Sequence, residues 1–287
     1  MRAVLLDGVV LGLQFGLLGV GLTLVYGLGG VLNLAHGQIA VVAATAAAVA
    51  INAGIPTVAA VTLGLAIGGV IGLILDSTLM RPVYRERGES RVLLSLLLTL
   101  GVGITIDGLL VWRFPLTTLR INIAVGGGPI TVLGIPMRAG GLLAAAIALM
   151  AAILLVAFFR YSTTGRAVRS VIQDEEGARL VGINPASVRT LIFILSGVLA
   201  GLVAVTRSMT APVGVTAGIS FTILALIVAV IGGLGSVAGT FLAGVLLGVV
   251  NTISSFYVGT YITTIVLLTA AAVTILVRPA GLLGHRE

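Results

Sequence analysis

Residues 166–184 read RAVRSVIQDEEGARLVGIN, with three arginines and three acids crowded into nineteen positions of an otherwise apolar chain. Apolar runs at 140–160 and 190–208 flank this stretch, and each is close to the about 20 residues a helix needs to cross a bilayer core. A charged segment between two such runs is a loop at a membrane surface, and the runs are spans. Working outward, the same sorting gives further spans near 8–30, 37–53, 57–80, 92–112, 218–232, 237–257 and 260–277. The fold expected is an all-α integral membrane protein, a polytopic bundle of about 8–9 transmembrane helices. It forms a single domain over residues 1–287, with 161–189 as its cytoplasmic segment.

Composition points the same way. Of 287 residues, 59% are hydrophobic and 9% charged, against about 25% charged in a soluble domain, and the mean hydropathy is +1.24. There is no cysteine, which excludes disulfides, thiolate metal sites and cysteine nucleophiles. There is also no lysine, so the chain lacks the G-x-x-x-x-G-K-[ST] phosphate loop and cannot hydrolyse ATP by that route. The net charge of +7 is explained by loop bias rather than by nucleic acid. Of the sixteen arginines, eleven fall in 81–91, 160–189 and the tail after 277. Basic loops stay in the cytoplasm, so the amino terminus is expected outside and the carboxyl terminus inside. The apolar amino terminus reads as a first span rather than a cleaved signal.

Within the charged stretch, Asp174 suits an N-cap, and Glu175 and Glu176 fall in the first turn, where the helix dipole favours negative charge. Gly182 suits the left-handed residue that ends a helix, and Pro185 blocks continuation. A helix of about seven residues is not stable alone in water, so it docks on something. Leu180 and Val181 offer an apolar contact, and Arg179 and the acids offer polar ones. Two readings stand: a loop packed on its own bundle, and a docking site for a cytoplasmic partner. The preceding stretch places Val168, Val171 and Ile172 on one face and Arg166 and Arg169 on another, as in a helix lying at a membrane surface.

A second polar group interrupts the apolar pattern. VLNLAHGQ at 31–38 brings together Asn33, His36, Gly37 and Gln38. Polar groups at membrane depth face a cavity or the bundle interior, and glycine-interrupted helices expose backbone to substrate in transporters. These residues are therefore candidates for the transport path or a gate. On helical spacing Asn33 and Gly37 share a face, with His36 adjacent; the other reading is a cytoplasmic turn with Asn33 capping the next span. Asp107 is the acid well inside a span. It either pairs with an arginine on a neighbouring helix or meets a substrate ammonium near the outer mouth. Asp76 reads as an interfacial partner of Arg81. With His36 and His285 as the two histidines and no acid near either, no metal site is expected. The repeated small-xxx-small spacings, such as Gly8, Gly12 and Gly16, are expected to pack helices closely.

GRAVRSVIQDEEGARLVGINPASVR at 165–189 resembles the cytoplasmic coupling loop of the LivH-type permeases of branched-chain amino acid ATP-binding-cassette (ABC) importers. GLTLVYGLGGVLNLAHGQ at 21–38, IGGLGSVAGTFLAGVLLG at 231–248 and VRPAGLLG at 277–284 resemble the same family, in the same order, over nearly the whole chain. The resemblance implies an ABC importer permease fold. It also implies an ATPase-coupling helix at Asp174, Glu175, Glu176, Ala178, Arg179, Leu180 and Gly182, with Gly177 where alanine is usual. Gln38 stands where the family commonly has glutamate. The partners implied are a second, LivM-like permease subunit, two cytoplasmic LivG- and LivF-like ATPase subunits carrying ATP and Mg, and an extracytoplasmic substrate-binding protein. This chain is then a transport subunit and not an enzyme, with no cofactor of its own, no nucleic-acid partner and the lipid bilayer as its solvent. Related permeases carry other amino acids, amides or urea. The competing class is an ion-coupled secondary transporter, which carries its coupling acids within the chain; Asp107 is its single support.

Overall fold

The computed structural model describes residues 1–115, 117–119, 121, 130–132, 135–137, 139–278 and 281–283. His285 and the arginines at 120, 138 and 286 lie outside these residues. The chain runs through α1 (Arg2–Gly29), α2 (His36–Asn52) and α3 (Thr57–Ile74), the last continued by a π-helical turn, Leu75–Met80, and α4 (Arg81–Val83). After α5 (Gly88–Arg113) come α6 (Ala139–Tyr161), the short α7 (Thr163–Gln173) and α8 (Glu175–Leu180), then α9 (Pro185–Thr210), α10 (Gly218–Gly232) and α11 (Val237–Val277). Two small antiparallel ribbons pair β1 (Thr118–Leu119) with β4 (Val213–Gly214), and β2 (Ile130–Val132) with β3 (Ile135–Met137).

Six helices are long and apolar enough to cross a membrane, and α2 and α10 are apolar but shorter. With these two, and with α11 counted as one helix or two, the apolar helices among the described residues number eight or nine, as expected. α2 and α10 are half-helices, and α11 is one 41-residue run with Gly259 at φ 82° and ψ 165° inside it. A straight helix of that length would reach about 61 Å, yet a Cβ on Gly239 near its start would lie 3.0 Å from Leu283 beyond its end. Six residues cannot cover such a gap, so α11 folds back at Gly259, between the two runs read from the sequence. Ser255 Oγ donates to Thr263 Oγ1 across that fold at 3.3 Å.

The arginine-rich segments gather at one end. Arg91 Nη1 donates to the Gly29 carbonyl at the end of α1 (3.3 Å), and the Arg189 guanidinium lies 4.5 Å over the Tyr84 ring. Residues 281–283 join this end, with Leu282 N–H donating to Ile231 O at 2.9 Å.

Small residues set the packing. Gly244 and Gly248 of α11 meet Gly16 and Gly12 of α1, and Gly68 of α3 meets Gly197 of α9; at each pair an added Cβ would fall 2.2–2.7 Å from backbone. Lipid offers no hydrophobic drive between helices, so close backbone approach supplies the contact. The two pairings are counterparts. A long helix (α1, α9), a short non-helical stretch and a half-helix (α2, α10) recur twice with opposite direction, an inverted arrangement that puts the two breaks in the interior.

Candidate functional site

α1 ends at Gly29, where Gly30 adopts φ 58°, and the chain then turns back beside α1 in non-helical form. His36 Nε2 reaches Leu18 O at 3.1 Å. Leu18 stands eleven residues, about 16 Å of helix, from the end of α1, so α2 begins deep in the bundle rather than at its surface. The surface-turn reading of 31–38 is therefore overturned. Asn33 is also not helical. It does not cap α2, whose N-cap is Ala35; its Oδ1 instead accepts from the Ala35 N–H at 3.0 Å to hold the turn before the helix.

Backbone groups freed at such depth need partners, because no water is at hand. Hydroxyls supply them. Ser95 Oγ accepts from Leu32 N–H (3.2 Å) and Thr99 Oγ1 from Leu34 N–H (2.9 Å), both from α5. Thr222 Oγ1 of α10 accepts from Gly37 N–H (2.9 Å) and donates to Leu34 O (3.1 Å). His36 is fully buried. A carbonyl only accepts, so Nε2 carries the proton and Nδ1 accepts from Ser196 Oγ of α9 at 3.3 Å.

The half-helices α2 and α10 cross at their first turns. A Cβ on Gly37 would lie 2.0 Å from Gly218 O, and one on Gly218 would lie 2.8 Å from Gln38. Gln38 is buried here, and its amide has two sets of partners. In one orientation Nε2 donates to Asp107 Oδ2 at 3.3 Å. In the other it donates to Leu34 O (3.1 Å) while the oxygen accepts from Ile219 N–H (3.3 Å). Among the described residues Asp107 has no arginine partner, and its Oδ1 faces no donor. The structure thus brings Asn33, His36, Gly37, Gln38 and Asp107 together. Ser196 and Thr222 join them, with no sequence signal that separates them from the other hydroxyls of α9 and α10.

The second region is the arginine-rich end. α7 is capped by Ser162, whose Oγ accepts from Gly165 N–H at 2.8 Å, and turns Val168 and Val171 inward while Ile172 stays partly open. Asp174 caps α8, its Oδ1 accepting from Glu176 N–H at 3.0 Å, and Gly182 takes φ 85° beyond the helix end. A Cβ at Gly177 would lie 2.5 Å from Asp174 Oδ2, so glycine at 177 leaves the cap its room. Ala178 is buried in the main core, whereas Leu180 and Val181 are 88% and 75% exposed. Neither side chain is covered by this bundle.

Glu175 ties α8 to the bundle. Its carboxylate takes Arg179 of its own helix and the buried Arg189 of α9. Arg189 stacks on Tyr84, Tyr84 Oη donates to Asp76 Oδ1 at 3.1 Å, and Thr190 Oγ1 donates to the other Asp76 oxygen. Burial, reinforced by the Asp76 carboxylate, pushes the Tyr84 hydroxyl far above its ordinary range and keeps it a donor. Asp76 therefore partners Tyr84 and Thr190 and not Arg81 as expected. Nothing in the sequence linked Tyr84 to Arg189, 105 positions away.

The chain is similar to several named proteins. High-affinity branched-chain amino acid transport system permease protein LivH of Salmonella typhimurium is 28% identical over 295 residues, covering 98% of this chain and 94% of that one. LivH of Escherichia coli is 28% identical over 294 residues with the same coverage. The corresponding permease protein BraD of Pseudomonas aeruginosa is 28% identical over 297 residues, covering 99% and 95%. Among solved structures, PsaBC from Streptococcus pneumoniae in complex with Fab aligns with a TM-score of 0.52 at 12% identity, over 96% of this chain and 91% of that one, a likeness of fold alone. The family described as branched-chain amino acid transport system / permease component matches residues 4–277; this multi-pass membrane chain belongs to that family.

Proposed function

We propose that this chain forms half of the translocation pathway of an ABC importer for branched-chain or related hydrophobic amino acids, moving them by alternating access that partner ATPases drive. The amino terminus lies outside and the arginine-rich end in the cytoplasm, consistent with basic loops being retained there. ATP and Mg belong to two ATPase subunits of LivG and LivF type. A LivM-like permease completes the pathway, and an extracytoplasmic binding protein delivers substrate.

The observation that carries this reading is the exposed Leu180–Val181 pair on a capped helix wired into the bundle through Glu175 and Arg189. A helix of six residues holds its shape only when docked, and its apolar tip points away from its own bundle. Nucleotide binding shifts the permease only if the ATPases favour one of its conformations over another. The Glu175–Arg189–Tyr84–Asp76 chain gives α8 a polar connection to α9 and to the π-turn after α3. At the other end of that motion, the crossing of α2 and α10 with Asp107 faces the substrate. The Asp107 carboxylate is the acceptor for an ammonium group, and apolar walls suit a branched side chain.

The test is to extract the tagged chain in mild detergent and identify by mass what stays bound, with and without residues 174–182. ATPase subunits lost on deletion support the assignment. An intact chain that carries no ATPase before deletion counts against it and favours a secondary transporter.

A further inference from the structure

A groove of about 910 Å³ opens between α1, α6, α7 and the start of α11. That is at the upper end of the range for ligand-sized cavities. Val20 and Leu24, Ile153 and Val156, and Phe241 and Leu242 wall it, all apolar. Its lining on α6 runs from Leu149 to Arg160, eleven residues or about 16 Å of helix. One leaflet, half of a hydrocarbon core of about 30 Å, is about the same depth. The groove thus has the length of one acyl chain and the lining to take it.

Its polar end is different in kind. Arg160, Tyr161, Arg169 and Gln173 meet there, where α6 ends and the surface helix α7 begins. The Arg160 guanidinium lies 5.6 Å over the Tyr161 ring, an aromatic at the level where membrane interfaces collect them. Neither Arg160 nor Arg169 has an acid or hydrogen-bond partner among the described residues. The adjacent acids are engaged elsewhere, Asp174 on the Glu176 N–H and Glu175 on Arg179 and Arg189. Two unneutralised cations therefore stand at headgroup depth over an apolar channel.

From that juxtaposition we infer that the groove is a binding site for an anionic phospholipid, its phosphodiester held by Arg160 and Arg169 and an acyl chain laid along α1, α6 and α11. Basic pockets between transmembrane helices on the cytoplasmic side take anionic headgroups in this way. A zwitterionic lipid brings its own cation to the two arginines and gains less. Since α7 leads directly into α8, an occupied groove also braces the segment that precedes the coupling helix. The inference rests on the orientation proposed above, with this end cytoplasmic, and stands apart from the choice of transported substrate.

The full chain, purified in mild detergent and stripped of lipid, is titrated with dioleoyl phosphatidylglycerol or dioleoyl phosphatidylcholine, and bound lipid is counted by native mass spectrometry. The wild type is expected to prefer phosphatidylglycerol by about 30-fold, with Arg160→Gln/Arg169→Gln abolishing the preference and Arg160→Lys/Arg169→Lys retaining most of it. Ala157→Phe, which fills the groove and leaves both arginines, is expected to reduce retention of phosphatidylglycerol and serves where the double variant fails to insert. Equal retention of the two lipids, or a preference unchanged in the double glutamine variant, overturns the proposal. So does loss of a second permease subunit from the double glutamine variant with lipid retention intact, because a protein helix would then occupy the groove.

Discussion

At the crossing of α2 and α10, His36 uses both ring nitrogens, Thr222 receives Gly37 and donates to Leu34, and Gln38 is buried between three helices. At α8, Leu180 and Val181 stand almost wholly exposed on a short helix whose acids and arginines knit it to α9. Both regions are polar interruptions of an apolar chain. The first is completed by its own chain, as it must be where no water can satisfy backbone groups. The second leaves the apolar Leu180 and Val181 open, and in the function proposed above another chain covers them. A region closed on itself changes stability when mutated, while an open one changes association.

The sharpest way to break this contrast is Gly37→Val. Its added carbon would meet the Gly218 carbonyl at 2.0 Å, which backbone cannot yield cheaply, so a loss of about 3 kcal/mol or more is expected. Size-exclusion of the extracted protein and its thermal unfolding would show it; a well-folded variant would mean that α2 and α10 are not locked. His36→Leu removes the partner of both Leu18 O and Ser196 Oγ and is expected to cost about 2–3 kcal/mol, read from the same unfolding curve. If stability holds, the histidine is there for transport rather than for the fold.

The open region should respond in the other currency. Leu180→Asp with Val181→Asp is expected to leave stability within about 0.5 kcal/mol and to reduce ATPase retention at least about tenfold, measured by co-purification. Full retention would move the docking surface elsewhere. Gly182→Val forces a β-branched residue to φ 85°, a local cost of about 1–2 kcal/mol with open space around it. Uptake should fall while ATP hydrolysis continues, and normal uptake would argue against coupling through α8. The smallest effect is expected for Asp107→Asn, which keeps the side chain's shape. A several-fold rise in the apparent KM for uptake at unchanged expression would place the carboxylate on the substrate, and an unchanged KM would make it part of the junction only.

Much of this was legible in the residues. The spans came from runs of apolar residues, the common end of the basic segments from arginine placement, and the ends of α8 from Asp174 and Gly182. The break at Gly259 fell between two runs already separated in the sequence. Other features were invisible for a definite reason. Spacing alone cannot distinguish a helical turn at Asn33 from the non-helical stretch that is found, where the Leu32 and Leu34 N–H groups are taken by Ser95 and Thr99. Proximity in sequence pairs Asp76 with Arg81, while its actual partners, Tyr84 and Thr190, come together through helix packing.

The sequence by itself determined that this is a multi-pass helical membrane chain with one capped, charged helix and no means of hydrolysing ATP through a Walker loop. Hydropathy, charge and local capping are properties of neighbouring residues, and they act before the chain is packed. Only the tertiary structure decided that α2 and α10 are half-helices crossing inside the bundle, that Arg189 carries Glu175 to Tyr84, and that Leu180 and Val181 face outward. These depend on residues between 14 and 188 positions apart, brought together by glycine-lined contacts whose pairing no local pattern encodes.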